Sequence, residues 1–258
     1  MEAARYSAPV VRDGDVDDRV AIEEPLEIRV NGEAVAVTMR TPGNDEELAC
    51  GFLHGEGLLV SAPRSVGLTE DLAANVVELD ADLERQVSGR RFYTTSSCGV
   101  CGKGALEEVA VQAPMLPDGP VIARELLADL PDRLRQPGFD VTGGLHATGL
   151  FSPEGELRYA REDVGRHNAM DKVIGRALLD GELPLNDKLL CVSGRLAFEL
   201  VQKAAIAGCP VLVGVGAPTS LAVQLARDRN MTLGGFARNG NVNIYSGNAR
   251  VSGIGPGG

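Results

Sequence analysis

Tryptophan is absent from the 258-residue chain, and all aromatics together supply 4% of it. Hydrophobic residues still make up 44%, so the sequence can bury a sizeable core, and that core must be aliphatic. Positive charge is also in deficit: 25 lysines and arginines against 36 acids leave a formal net charge of -11. A chain this acidic is a poor partner for a nucleic-acid backbone, although one local cationic pocket for a small anion remains compatible with it. No apolar run reaches the ~20 residues that cross a bilayer, so no membrane span is expected. Met1 to Val20 are polar and acidic, with Asp13, Asp15, Asp17 and Asp18, and do not read as a secretory leader. Cysteines number five, an odd count for a disulfide framework, and three lie in apolar surroundings; a reducing cytoplasm is the expected home.

What is present is organised around Arg91-Phe92-Tyr93-Thr94-Thr95-Ser96-Ser97-Cys98-Gly99-Val100-Cys101-Gly102-Lys103. Phe92 to Thr95 favour an extended backbone, and Gly99 and Gly102 favour a loop around the two thiols. A helix is predicted to start near Lys103, with Ala105, Leu106 and Val109 at helical spacing. A helix N-terminus and a lysine beside a cysteine favour the thiolate, which is the nucleophile. A lone C-x-x-C fits four chemistries: a structural zinc half-site, a catalytic zinc site, a redox dithiol, or a sulfur carrier that holds a persulfide.

The pattern along the chain predicts an α/β protein in two parts behind a flexible tail, residues 1–20. Residues 21–112 read as a small α+β subdomain ending in the two-cysteine loop and the helix after it. It opens with a hairpin at Asn31-Gly32, and Asn44 can cap a helix running to about His54. Strands are expected at Ala74 to Asp80 and Arg90 to Thr95. The proline-rich stretch from Ala113 to Pro120 is a linker candidate, and a helix around Ala123 to Leu134 is closed by Pro137-Gly138. Residues 121–252 read as the larger α/β domain. Strands are expected at Leu145 to Phe151, Glu156 to Arg161, Lys188 to Ser193, Pro210 to Val215, Thr232 to Ala237 and Asn241 to Tyr245. Helices are expected at Arg166 to Leu179, Leu196 to Ala207 and Leu221 to Arg227. Short apolar strands alternating with helices predict a mostly parallel sheet covered on both faces. The glycine-rich end from Gly253 is predicted to be disordered.

In such a sheet ligands bind beyond the carboxyl ends of the strands. Ser193-Gly194-Arg195 ends one strand and is expected to start a helix, where amides, a hydroxyl and a guanidinium converge on an anion; a helix cap with a surface arginine is the plainer reading. Gly214 to Ser220 follows the next strand, with Thr219 or Ser220 as helix cap. Gly234 to Asn241 is more suggestive: Phe236 can stack on a base, Arg238 can pair with phosphate, and Asn239 and Asn241 can read polar edges. An Asn-Gly hairpin turn accounts for the same residues without a ligand. Gly143 to Gly149 and Arg161 to Asn168 are dense in polar groups; Glu162, Asp163 and Arg166 are more often a capping network than a catalytic set, and His167 more often structural than a proton carrier. Cys191 and Cys209 read as inert core.

Zinc deaminases carry H-x-E followed by P-C-x-x-C, and His54-Gly55-Glu56 precedes Cys98 and Cys101 in that order. Ser97 stands where the proline is expected, however, and His54 falls at the end of a predicted helix rather than at the start of one. A zinc-dependent, deaminase-like hydrolase is therefore the alternative reading.

Thr95 to Lys103 resembles the signature loop of the formate dehydrogenase accessory sulfurtransferases. Gly51-Phe52-Leu53 with Glu56-Gly57, Gly143-Gly144-Leu145-His146, Arg161 to Ala169, Ser193-Gly194-Arg195 and the Gly235-to-Asn241 loop resemble the other blocks of that family, in order, over about Pro25 to Tyr245. The resemblance implies a three-layer α/β/α, cytidine-deaminase-like domain without deaminase zinc or any permanently bound metal, and usually a homodimer. It implies a sulfur relay in which a cysteine desulfurase loads a loop cysteine with persulfide. The sulfur then passes to the molybdenum cofactor, in its bis-molybdopterin guanine dinucleotide form, before insertion into apo formate dehydrogenase. By that resemblance Cys98 carries the persulfide and Cys101 assists. Phe236, Ala237, Arg238, Asn239, Gly240 and Asn241, with Ser193, Gly194 and Arg195, bind the cofactor as substrate.

Overall fold

A computed structural model describes residues 6–14, 16–69, 75–85, 92–94 (backbone alone) and 113–253. It divides into two compact units. The first takes the N-terminal part of the chain together with Gln136–His146 and Arg161–Gly181; the second holds Ala147–Ala160, the segment ending at Arg135 and everything from Glu182 onward. The linear division at 112/121 is thus corrected, because two later segments return to pack within the first unit.

Where the sequence predicts a tail, β1 (Ser7–Arg12) and β2 (Val16–Ala21) form an antiparallel hairpin. Its four valines, Val10, Val11, Val16 and Val20, favour an extended backbone, and Asp13 and Gly14 take the positive φ angles of its turn. The main sheet of this unit has the order β5-β6-β3-β4-β7, from β3 (Glu24–Val30), β4 (Glu33–Arg40), β5 (Ser65–Leu68), β6 (Val76–Asp80) and β7 (Phe92–Thr94). The expected hairpin is β3–β4: Asn31 at φ 52° and Gly32 at φ 83° bridge Val30 and Glu33.

Helix α1 (Asp45–Gly55) buries nearly every position, as a helix apolar on most sides must. The expected side-chain cap is corrected: Asn44 sits in the left-handed region at φ 59° and makes no capping bond, while Asp45, Glu46 and Glu47 supply negative charge to the first turn. Pro137-Gly138 does not close a helix but opens one, α3 (Pro137–Thr142). Proline suits a first turn, and Glu162 accepts from the amides of Gly138 and Phe139 at 2.8 Å each. Helix α4 (Arg166–Leu179) crosses α1 at backbone distance. A Cβ on Gly175 would fall on the carbonyl of Glu47, and one on Gly51 on the carbonyl of Asp171.

The larger sheet, which belongs to the second unit apart from His146 and Arg161–Asp163, has the order β10-β9-β11-β12-β13-β14: β9 (His146–Phe151), β10 (Leu157–Asp163), β11 (Leu189–Val192), β12 (Val211–Gly214), β13 (Thr232–Arg238) and β14 (Asn241–Ser246). The expectation of a mostly parallel sheet is corrected to a mixed one. β11, β12 and β13 are parallel, joined by crossovers through α5 (Phe198–Ile206) and α6 (Ser220–Asp228); β9 and β14 run antiparallel to their neighbours. Tight turns join β9 to β10 and β13 to β14, and a short turn cannot make the crossover that parallel pairing needs. On one face α2 (Arg124–Arg133) buries Leu127, Ala128 and Leu130 against Phe151, Leu189, Cys191, Val211, Val213, Ala237 and Val242, without one tryptophan or tyrosine. Strand alternation turns Leu190 and Leu212 to the other face. A short pair, β8 (Ile122–Ala123) with β15 (Val251–Ser252), closes this unit. Among the described residues no helix is long and apolar enough to cross a membrane. The predicted helix from Lys103 and the glycine-rich end beyond Gly253 lie outside the described residues.

The α1–α4 crossing makes a direct prediction. Gly175→Ala is expected to lower stability by about 2–3 kcal/mol, as an overpacked backbone contact does. Gly67→Ala, where nothing lies within 4 Å of the added carbon, is expected to leave the urea midpoint unchanged.

Candidate functional site

The loops that follow β11 and β12 are tied to each other and to Phe236 near the end of β13, forming one rim. Ser193 donates its amide to the Ala147 carbonyl at 2.9 Å, and its hydroxyl accepts from the Ala147 amide at 2.9 Å. Gly216 donates to the Gly194 carbonyl at 3.0 Å, and its own carbonyl accepts from Phe236 at 3.1 Å. Leu196 donates to Ala217 and accepts from Thr219, both at 3.0 Å. Glycine is required at 216, because a Cβ there would lie 2.9 Å from Arg195 Cα, Arg195 N and the Gly194 oxygen. The expected helix start at Ser193–Arg195 is corrected: Leu196 bridges to Pro218 in extended form, and α5 begins only at Phe198. The first amides of that helix therefore do not belong to this loop, whose contributions are its backbone geometry and the exposed Arg195 side chain. Thr219 does cap α6, accepting from Ala222 at 3.3 Å.

From this rim β13 runs to the Asn239-Gly240 turn, where both residues have positive φ and Arg238 pairs with Asn241. The hairpin turn expected from the sequence is there, and a cleft accompanies it. The register slips between Gly235 and Arg238, and Phe236 takes φ 54°, a left-handed backbone that costs a non-glycine residue ~1 kcal/mol or more. The bulge leaves the ring of Phe236 37% exposed while Ala237 is fully buried. Phe236, Arg238, Asn239, Asn241 and Asn243 line a cleft of about 380 Å³. One aromatic face, one guanidinium and three carboxamides can stack a heterocycle, pair with a phosphate and bond the edges of a base. Of the expected residues, Gly240 serves as the turn, and Ala237 can reach a ligand through its backbone alone. Asn243 was not among the expected residues. Its signal was available: Asn241 and Asn243 flank the buried Val242 with the period of a strand.

Cys98 and Cys101 lie outside the described residues. The other three cysteines are buried, and burial holds each thiol well above its ordinary pKa, to about 12 for Cys50 and Cys209. His54 sits in the last turn of α1 with Nδ1 2.9 Å from the Leu59 carbonyl, not at a helix start as the deaminase pattern requires.

The polar blocks of the first unit are architectural. Asp163 is fully buried; it pairs with Lys172 Nζ at 2.8 Å and accepts from Thr41 N, Gly165 N and Asn168 Nδ2. Arg161 forks onto both oxygens of Glu47 at 2.6 and 2.8 Å, and Arg40 onto both oxygens of Asp45 at 3.0 Å. Removing one partner of such a pair leaves an uncompensated buried charge, which costs about 3–5 kcal/mol. Of the capping set suggested by the sequence, Glu162 holds the α3 amides and Asp163 those of Thr41 and Gly165, while Arg166 Nε has no hydrogen-bond partner among the described residues.

The FdhD/NarQ family description matches residues 21–252. The chain is 51% identical to a sulfur carrier protein FdhD of Streptomyces coelicolor, covering 94% of this chain and 93% of that one. It is 41% identical to one of Saccharolobus solfataricus, over 97% and 99%. A crystal structure from Desulfotalea psychrophila, assigned as a formate dehydrogenase accessory protein, superposes with a TM-score of 0.77 at 27% identity, covering 95% of this chain and 97% of that one.

Because desolvation keeps the three buried thiols protonated, they are expected to resist iodoacetamide at pH 8 in the folded protein and to react on unfolding. Mass spectrometry of the alkylated peptides counts them; labelling of Cys50, Cys191 or Cys209 before unfolding would contradict the assignment.

Proposed function

Since the chain belongs to the FdhD/NarQ family, we propose that it is a sulfur carrier serving formate dehydrogenase, acting in the cytoplasm as a sulfurtransferase. The observation that carries this reading is the near-complete coverage of relatives named as sulfur carriers, at up to 51% identity. In the relay, the Cys98 thiolate attacks the terminal sulfur of a cysteine desulfurase persulfide. The sulfur–sulfur bond of the donor breaks, the desulfurase thiolate leaves, and Cys98 holds the persulfide. Cys101, three residues on, assists uptake or release. The acceptor is the molybdenum cofactor in its bis-molybdopterin guanine dinucleotide form, bound as substrate and delivered to apo formate dehydrogenase. No resident metal takes part.

The cleft on β13–β14 supports the nucleotide half of this reading. Phe236 offers a stacking face, Arg238 a phosphate partner, and Asn239, Asn241 and Asn243 donors and acceptors for a guanine edge. Arg195, on the adjoining loop, adds a second guanidinium. The helices over the β11–β12–β13 core are in keeping with a deaminase-like layering, and the family's homodimer is part of the same proposal.

Incubation with a cysteine desulfurase and cysteine is expected to add one sulfur to the intact mass, mapped to the peptide holding Cys98 and absent in Cys98→Ala. Loading that persists in that variant refutes the role of Cys98. Independently, Phe236→Ala and Arg238→Ala are each expected to weaken guanosine diphosphate binding about tenfold, or ~1.4 kcal/mol, without lowering the unfolding midpoint. Calorimetric titration reads the first quantity and thermal unfolding the second.

A further inference from the structure

The β1–β2 hairpin is a separate two-stranded sheet, and neither the proposed sulfur relay nor the proposed nucleotide cleft makes use of it. Its root is fixed. Ile22 donates to the Tyr6 carbonyl at 3.0 Å, Arg19 bonds the hydroxyl and carbonyl of Ser7, and Ser7 is buried. Beyond the root every residue of β1 from Pro9 to Arg12 is exposed. The pairing of Val10 with Asp18, Arg12 with Val16 and Ala8 with Val20 places three valines on one face, 37, 39 and 43% exposed. The hairpin is supported by packing on helix α3, and its free edge beside exposed valines is what an added strand pairs with.

The two edges are not equivalent. Pro9 lacks an N–H and blunts the β1 edge. β2, Val-Asp-Asp-Arg-Val-Ala, has no proline, and its free side offers donors and acceptors apart from the Arg19 amide, which donates to the neighbouring Asp18 carboxylate at 2.8 Å. It also carries the charge that selects a partner. Arg12 is engaged by Asp13 and Asp18 and Arg19 by Ser7, whereas Asp17 makes no ion pair among the described residues. A second copy aligned along β2 would set Asp17 and Asp18 against their own equivalents, within a chain of net charge -11.

We propose that this hairpin is a docking arm for a basic, extended segment of a different protein. The segment adds as a third strand along β2, with β-branched side chains beside Val16 and Val20 and a lysine or arginine opposite Asp17.

The probe is an alternating Lys-Val peptide of about eight residues, a common strand length, with a Glu-Val peptide as control, each added to the full chain. The Lys-Val peptide is expected to bind at least about tenfold more tightly, to slow hydrogen exchange at alternate amides of β2, and to weaken as salt is raised. Asp17→Lys, an exposed change, is expected to erase the preference with an unchanged unfolding midpoint. Equal binding of the two peptides, or unaltered exchange in β2, overturns the proposal. So does a dimer at micromolar concentration whose β2 amides are already protected without peptide, since a second copy would then be the occupant.

Discussion

The second unit depends on the closeness of three loops around Gly216. Its amide and carbonyl both point into neighbouring loops, toward Gly194 and Phe236, so it is the backbone link between the ends of β11, β12 and β13. The bond to Phe236 holds that residue in its left-handed conformation, and the bulge in turn aims the ring and Arg238 outward while Ala237 stays in the core. A cleft built from a strained bulge is pre-shaped, because the ordering cost is met in folding rather than at the moment a ligand arrives.

The first unit solves a different problem with the same economy of side chains. Two glycines let α1 and α4 touch backbone to backbone, and that closeness brings Asp163, Lys172, Thr41 and Asn168 into one buried network. A lysine 1% exposed survives only because its charge is met by Asp163 and by the carbonyl of Thr41 at 2.8 Å. Motifs dense in Glu, Asp, Arg and His look like catalysis in a sequence. Here they are what an aliphatic chain with few aromatics uses to fix the register of its buried helices.

Periodicity made most elements legible. The helix from Arg166 to Leu179 was expected at its observed bounds, and the apolar strands around Leu189, Val211 and Thr232 were located within a residue or two. What the sequence hid was direction and return. Hairpin turns make β9 and β14 antiparallel, but alternating strands and helices look alike whether the sheet is parallel or mixed. The packing of Arg161–Gly181 within the first unit rests on a glycine crossing whose partners lie more than a hundred positions apart. The hairpin at Ser7–Ala21 was read as tail because its valines are exposed and its acids numerous, which is what a disordered segment also looks like. In the cleft, Phe236, Arg238, Asn239 and Asn241 were legible because stacking, phosphate pairing and edge recognition each demand a side-chain type. The side chain of Ala237 faces the core, since a strand's alternation turns every second residue inward.

The charge distribution is uneven, with acids in excess overall but some guanidiniums left exposed. Most guanidiniums with resolved partners are neutralised locally: Arg40 by Asp45 and Glu24, Arg161 by Glu47, Arg64 by Asp80 and Asp82, Arg158 by Glu182. Arg195 and Arg238 make no ion pair among the described residues and are exposed at or beside the cleft. At physiological salt a surface charge is felt over about 8 Å, so distant carboxylates contribute little there while a guanidinium in contact contributes fully. Net charge bears on the surfaces the protein avoids, whereas exposed guanidiniums such as Arg195 and Arg238 set the local potential. An acidic exterior disfavours extended polyanions, while exposed guanidiniums at one cleft leave that place compatible with a single small anion.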